Sequence, residues 1–370
     1  MEKTTIKTHV FEYSKAFSAF INASNQPQTE ALLHQALING LKEKGLVNCD
    51  QDDPIRVADI CCGAGDRIVK YLRNIQFQSG IDLIAVDNNP DYTGLTDNDS
   101  IDHKQDCEKL NSTNGIAGDN LYKAMQAKII PLNNYRVLHA DVMKCNITRL
   151  LLGSQAGDRR IKDFKLVYLL HCGYYFISSH HDQARFKELL DKICSDLLSS
   201  DGIAVLSHSC LKPNTHVSLF NYATGKTKSL IPTPKECLDL SVHTSVTNLC
   251  DNLGLSCFDI PYTAYLQLSP QVHEYKEIFK DPKRYCELDN KPDALTDFYT
   301  LLFIYDRSLD DLYCDKSSRG LSAMIDNTFD IIDSNNRIPI PGVLQVILNR
   351  AASVDDKIHV DELVQKLASQ

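Results

Sequence analysis

Between residues 8 and 45, apolar residues recur at helical spacing in two blocks. Val10, Tyr13, Phe17 and Phe20 lie three or four positions apart and predict a first helix. Leu32, Leu33, Ala36, Leu37 and Leu41 line one face of a second, which starts near PQTE and ends at Gly45. After the polar break NCDQDDP the pattern changes to short apolar runs: IRVADIC (55–61), IDLIAVD (81–87), YRVLHAD (135–141), FKLVYLL (164–170) and GIAVLSHS (202–209). Helix-like stretches separate most of them, notably 66–74, 182–199 and 243–254. Apolar strands without clean alternation, interleaved with helices, predict a parallel sheet covered on both faces. SCFDIPYTAYLQL and MIDNTFDII read as late strands, so the expected architecture is a doubly wound α/β sheet of about seven strands, the last antiparallel. Residues 88–134 read as a polar surface excursion. Within it, DNDSIDHKQDCE fails as a calcium loop because Ile101 stands where an oxygen ligand belongs and the central glycine is missing. The end, from IPIPGV onward, reads as a proline-bounded linker followed by amphipathic pieces.

Length and charge narrow the class. With 370 residues the chain can form one large α/β domain with a cap, or two domains. A net charge of −9 and no extended basic run argue against nucleic acid as the main partner. The 13 cysteines are odd in number, form no CxxC, and include the adjacent pair Cys61 and Cys62. That arrangement predicts free thiols in a reducing cytoplasm and no zinc site. The start lacks an apolar secretory core and no run of apolar residues is long enough for a membrane span, so a cytoplasmic protein without membrane contact is expected. A monomer is the expected state.

Candidate chemistry centres on VADICCGAGDRIVKYL (57–72), a strand-like run, a glycine turn and a helix-like run. Glycine there lets the backbone take positive φ and lets a ligand approach, and the amides that follow favour polar or anionic groups. The dinucleotide fingerprint GxGxxG fails, since Ile68 occupies the third glycine position. The stretch Asp59-Ile60-Cys61-Cys62-Gly63-Ala64-Gly65 instead matches D-x-G-x-G-x-G at the acid and two of three glycines, with Cys61 in place of the first, a position a thiol fills if φ there is negative. Asp87 ends the second strand about twenty residues on, placed to accept ribose hydroxyls. Asp141 ends the third, placed to accept from an adenine amino group. The fourth ends in LLHCGYYF at the crevice where open α/β sheets bind ligands. Each aspartate could instead cap a turn. No GxSxG occurs, which disfavours a nucleophile-elbow hydrolase.

In this constellation the chain resembles class I S-adenosylmethionine-dependent methyltransferases and, among them, the histamine N-methyltransferase family. YSKAFSAFIN, LVYLLHCGYYF, LCDNLGLSCFDI and MIDNTFDII carry the resemblance over most of the first 335 residues. It implies a Rossmann-like core binding S-adenosyl-L-methionine through Asp59, Cys61, Gly63, Gly65, Asp87, Asn88, Asp141, Val142 and Leu170. It also implies a small-molecule acceptor held by Tyr13, Phe17, Gln26, His171, Tyr174, Tyr175 and Asn327, with His171 and Tyr175 as catalytic residues and no metal. Two departures bear on the acceptor: Gln26 stands where the family has a pocket glutamate, and His171 where it has a glutamine. The implied organisation is a helical cap over 1–50, the cofactor core over 51–210, a substrate-covering segment with the final strands over 211–335, and a C-terminal helical extension over 336–370.

Methyl transfer from a sulfonium depends mainly on alignment, so aromatic walls and one proton acceptor suffice. His171 is the candidate acceptor. SHHD (179–182) and His208 with Ser209 are weaker candidates. The expected function is methylation of a small molecule, an amine nitrogen first. The alternatives are a non-catalytic cofactor-binding module, or methylation of a protein or another small acceptor.

Overall fold

The computed structural model describes residues 13–47, 53–94, 115–152, 163–173, 180–307 and 309–369. The chain forms helices α1 (Tyr13–Ala23) and α2 (Gln26–Glu43), then β1 (Ile55–Ile60), α3 (Asp66–Leu72), β2 (Ile81–Asp87), α4 (Pro90–Thr93), α5 (Ile116–Gln126) and β3 (Leu132–His139). There follow α6 (Ile147–Leu152), β4 (Phe164–Leu170), α7 (His180–Lys192), β5 (Leu198–Ser209), α8 (His216–Ala223), α9 (Pro234–Asp239), α10 (Val242–Leu253) and β6 (Cys257–Gln267). Helices α11 (Lys276–Lys280), α12 (Pro292–Tyr305), α13 (Leu309–Cys314) and α14 (Leu321–Ile331) precede β7 (Arg337–Leu348) and α15 (Val354–Ala368).

The seven strands lie in the order β3-β2-β1-β4-β5-β7-β6. β1 pairs in parallel with β2 and β4, β2 with β3, and β4 with β5. β7 is antiparallel. Bonds from Cys210 N to Pro341 O and from Asn349 N to Gly202 O run in opposite senses along β5 and β7, as do those joining Leu268 to Asn336 and Leu348 to Ser256. The strand order reverses between β1 and β4, which opens a crevice at their carboxyl ends.

Neighbouring residues of each central strand point to opposite cores, because side chains alternate along a strand. Val57, Leu83, Leu166 and Val205 face one core, shared with α2, α3, α5 and α15. Ala58, Ile84, Val167 and Ala204 face the other, shared with α6, α7 and α10. This two-sided burial is why the strand sequences lack alternation.

Two compact units result. The sheet unit comprises Pro27–His208, Val242–Tyr262 and Val343–Gln370. The helical unit comprises the chain up to Gln26, Ser209–Ser241 and Thr263–Gly342. In the helical unit α1 packs on α12, with Phe20 and Phe17 at 4.7 and 5.5 Å from the Phe303 ring.

Four expectations are corrected. MIDNTFDII is helix α14, not a strand: Leu321, Met324, Ile325, Thr328 and Phe329 are its buried positions, a helical spacing that the local wealth of apolar residues disguised. The last strand is β7, within the extension over 336–370 expected to be helical, so among the described residues there only α15 is helical. Its Pro339 and Pro341 fall in the opening half of the strand, where Pro341 still supplies a carbonyl to Cys210 N. The span 88–134 holds helix α5, whose Ala117, Leu121 and Ala124 are buried. The calcium-like stretch before it lies outside the described residues. The cap over 1–50 also divides, since α2 from Pro27 onward belongs to the sheet unit.

Candidate active site

The carboxyl ends of the central strands are tied into one edge. Cys62 N donates to Val86 O at 3.0 Å, joining the glycine turn to the end of β2. Ala140 N donates to Asp87 O at 2.9 Å, bringing Asp141 and Val142 beside β2. Cys172 Sγ lies 3.9 Å from Ile60 O, and His171 N donates to Ser207 O at 3.0 Å, which places the end of β4 between β1 and β5. Helix α5 closes the turn from the side: Asn120 Nδ2 donates to Ala64 O at 2.8 Å. The structure thus brings together Asp59, Cys61, Gly63, Gly65, Asp87, Asp141, Val142, Leu170 and His171.

The three aspartates have different surroundings. Asp87 Oδ2 accepts Gly63 N at 2.8 Å and Oδ1 accepts Asn89 N at 2.9 Å, so this carboxylate shapes the turn itself. Asp59 is 1 % exposed, and its Oδ1 has no hydrogen-bond partner. Burial, reinforced by the neighbouring Asp87, pushes its carboxyl well above the usual range against an opposing pull from Arg67. Asp141 accepts Met143 N at 3.0 Å and pairs with Lys144 at 2.9 Å, in the manner of a turn cap. Asn88 is exposed, whereas Val142 and Leu170 are buried apolar walls.

Two residues here hold left-handed backbone without being glycine. Cys61 has φ +62°, which overturns the expectation that the thiol tolerates this position through a negative φ. His171 has φ +56° at the end of β4. Each conformation costs on the order of 1–2 kcal/mol for a residue with a Cβ. Cys61→Gly is therefore expected to stabilise the protein by about 1 kcal/mol, measured as a raised urea midpoint. An unchanged or lowered midpoint would show that packing of the thiol offsets the strain.

Sequence reasoning missed Glu30. This carboxylate, on α2 and fully buried, takes four donors. His171 Nε2 is 2.6 Å from Oε1 and Tyr262 OH also donates to Oε1, while Tyr71 OH at 3.0 Å and Arg67 Nη1 at 3.3 Å reach Oε2. Burial alone would raise the Glu30 carboxyl, but His171 and Arg67 together with the donated hydrogen bonds hold it down at about 2. Burial and the nearby Arg67 lower the pKa of His171, with Glu30 opposing. At neutral pH the contact is hence a hydrogen bond from a neutral imidazole to a carboxylate. The local signal was present: Glu30 and His34 share the α2 face of Leu37 and Leu41, so two polar residues sit on a buried stripe.

The acceptor residues implied by the resemblance fall in both units. Gln26 belongs to the helical unit, is buried, and donates from Nε2 to Ser209 Oγ at 3.4 Å. Tyr13 lies on α1 of the same unit, as does Phe17, 39 % exposed beside Phe303. Asn327 is there too, on α14 rather than on a strand. His171 belongs to the sheet unit, and Tyr174 and Tyr175 lie outside the described residues. His208 is buried beside the segment that follows β4, where a Cβ on Gly173 would come within 2.6 Å of its ring. Of SHHD, Ser179 lies outside the described residues, and α7 starts at His180, so Asp182 sits in its first turn. Among the described residues no helix is long and apolar enough to cross a membrane.

No family model matches the sequence, and no curated protein is similar to it at sequence level. Solved structures are similar in fold. A methyltransferase of Thiobacillus denitrificans that uses S-adenosylmethionine, in complex with S-adenosyl-L-homocysteine, is 10 % identical with a TM-score of 0.37, over 84 % of this chain and 91 % of that one. The plantazolicin methyltransferase BpumL is 11 % identical with a TM-score of 0.36, over 91 % and 90 %. The YcgJ protein of Bacillus subtilis is 13 % identical with a TM-score of 0.36, over 86 % and 99 %. Likenesses this distant assign no activity to the chain.

Proposed function

We propose that this protein is an S-adenosylmethionine-dependent methyltransferase that acts on a small molecule, with an amine nitrogen as acceptor. The observation that carries the reading is the single edge on which the glycine turn, Asp59, Asp87 and the Glu30-bound His171 meet. The edge fits the cofactor: a Cβ on Gly63 would meet nothing within 4 Å, so that backbone is open to close approach. Asp59 Oδ1 is a buried acceptor still to be satisfied. Asp87 has accepting capacity beyond its two backbone partners, which suits ribose hydroxyls. Gly63 and Gly65 would take the closest backbone contacts, Val142 and Leu170 the purine faces, and Asp141 its amino group.

S-adenosylmethionine, when bound, supplies an electrophilic methyl on a sulfonium. The chain's task is to align the nucleophile, exclude water and remove one proton. A neutral His171 suits the last step, because an amine gains a positive charge as it is methylated and must lose a proton to leave neutral. Glu30 also alters the reading of Gln26. The carboxylate that seemed to be missing lies one helical turn further along α2, where Arg67 already balances its charge. An acceptor that arrives neutral therefore fits better than a dication. Transfer itself is the test: incubation with methyl-labelled cofactor and a panel of biogenic amines should yield products labelled on nitrogen.

A further inference from the structure

We propose that Glu30 is a positioning residue for this reaction: it takes the Nε2–H of His171, fixes that tautomer, and so keeps the proton-accepting lone pair on Nδ1. The inference rests on the methyltransferase reading for its purpose, but its geometry stands in the sheet unit alone. The 2.6 Å contact requires a hydrogen between Nε2 and Oε1, and an ionised carboxylate carries none, so the imidazole provides it. Tyr262, Tyr71 and Arg67 hold the carboxylate from three further directions, so Glu30 cannot swing away without breaking several bonds in a fully buried place. Arg67 lies two residues beyond Gly65, which links the carboxylate to the helix that leaves the glycine turn.

The strained backbone of His171 points the same way. A left-handed residue other than glycine at a strand end persists only where its surroundings impose it, and such positions gather at functional sites. In the step itself the amine lone pair forms the new N–C bond while the C–S bond breaks and its electron pair stays on sulfur. The proton released from nitrogen passes to His171 Nδ1, and the resulting imidazolium is stabilised through Nε2–H by the Glu30 carboxylate. Among the described residues, the charged and titratable groups around His171 include Glu30 from α2, Arg67 and Tyr71 from α3, Tyr262 from β6 and His208 from β5.

The experiment combines a readout without cofactor and one with it. Proton–nitrogen NMR of histidine-labelled protein should show His171 as the Nε2–H tautomer in the wild type, and Glu30→Gln should abolish that single tautomer. In turnover, Glu30→Gln should lower kcat about 100-fold with KM within about threefold, and shift the acid limb of the profile to lower pH because an anion beside the base is gone. Tyr262→Phe, which removes one donor from the same carboxylate, should shift the acid limb the opposite way with kcat largely retained. It also serves as the test if Glu30→Gln does not fold. An unchanged tautomer in Glu30→Gln, or an acid limb unmoved by both changes, would overturn the proposal. If no acceptor is methylated while the tautomer still follows Glu30, the functional reading fails and the positioning role stands.

Discussion

Replacing Asp87 by alanine should weaken S-adenosylmethionine binding about 100-fold. Two hydroxyl donors to an ionised acceptor contribute roughly 1.5–3 kcal/mol each, and every 1.4 kcal/mol is about a factor of ten in affinity. The structure adds a second reason. Asp87 Oδ2 is the partner of Gly63 N at 2.8 Å, so the substitution also releases the turn that would lie against the ligand. Asp87→Asn keeps one acceptor oxygen and loses the charge, so its loss should be intermediate, about tenfold. Calorimetric titration measures both. Equal affinities in wild type and Asp87→Ala would remove Asp87 from the cofactor site.

Acid should destabilise the fold well above the range in which surface carboxylates titrate. Burial lowers the pKa of both His34 and His208 from 6.5 to about 3. In each case the unfolded chain binds a proton near pH 6.5 that the folded chain refuses until about pH 3, so stability is full above pH 6.5 and lost as pH falls. Each histidine contributes a slope of about 1.4 kcal/mol per pH unit across that window. His171 acts in the same direction, and Asp59, whose raised carboxyl takes up its proton earlier in the folded state, opposes them. Glu30 joins the loss only below about pH 4.5, since its folded value lies at about 2. Urea unfolding at several pH values should therefore show a steep decline between about pH 6 and pH 4. In His34→Gln, where an amide replaces the imidazole that bonds Tyr168 OH at 2.9 Å, the slope should be smaller by about 1.4 kcal/mol per pH unit. Parallel slopes would mean that His34 is already protonated in the folded protein.

Much of the sheet was legible in the sequence because its strands are apolar on both faces. The boundaries of IDLIAVD and FKLVYLL fall where the apolar runs begin and end. The misreadings have physical causes. Pro339 and Pro341 argued against a strand, but β7 runs through both, and Pro341 still takes part through its carbonyl, which accepts Cys210 N. In MIDNTFDII, the density of apolar residues masked a 3.6-residue period. Helix α5 was hidden by the polar residues before it, although Ala117, Leu121 and Ala124 carry the stripe. In the site, the glycine turn and Asp87 announce themselves through spacing. Glu30 does not, because its partners come from α3, β6 and the end of β4, and only the folded chain assembles them.

The central claim is methyl transfer, and the measurement that meets it most directly is mass spectrometry of small amines incubated with the protein and methyl-labelled S-adenosylmethionine. The account predicts an amine carrying the label on nitrogen, formed together with S-adenosylhomocysteine, and a strong loss of product in His171→Ala protein that still binds the cofactor. A folded protein that leaves every amine unlabelled, or that labels them equally well without His171, would contradict it.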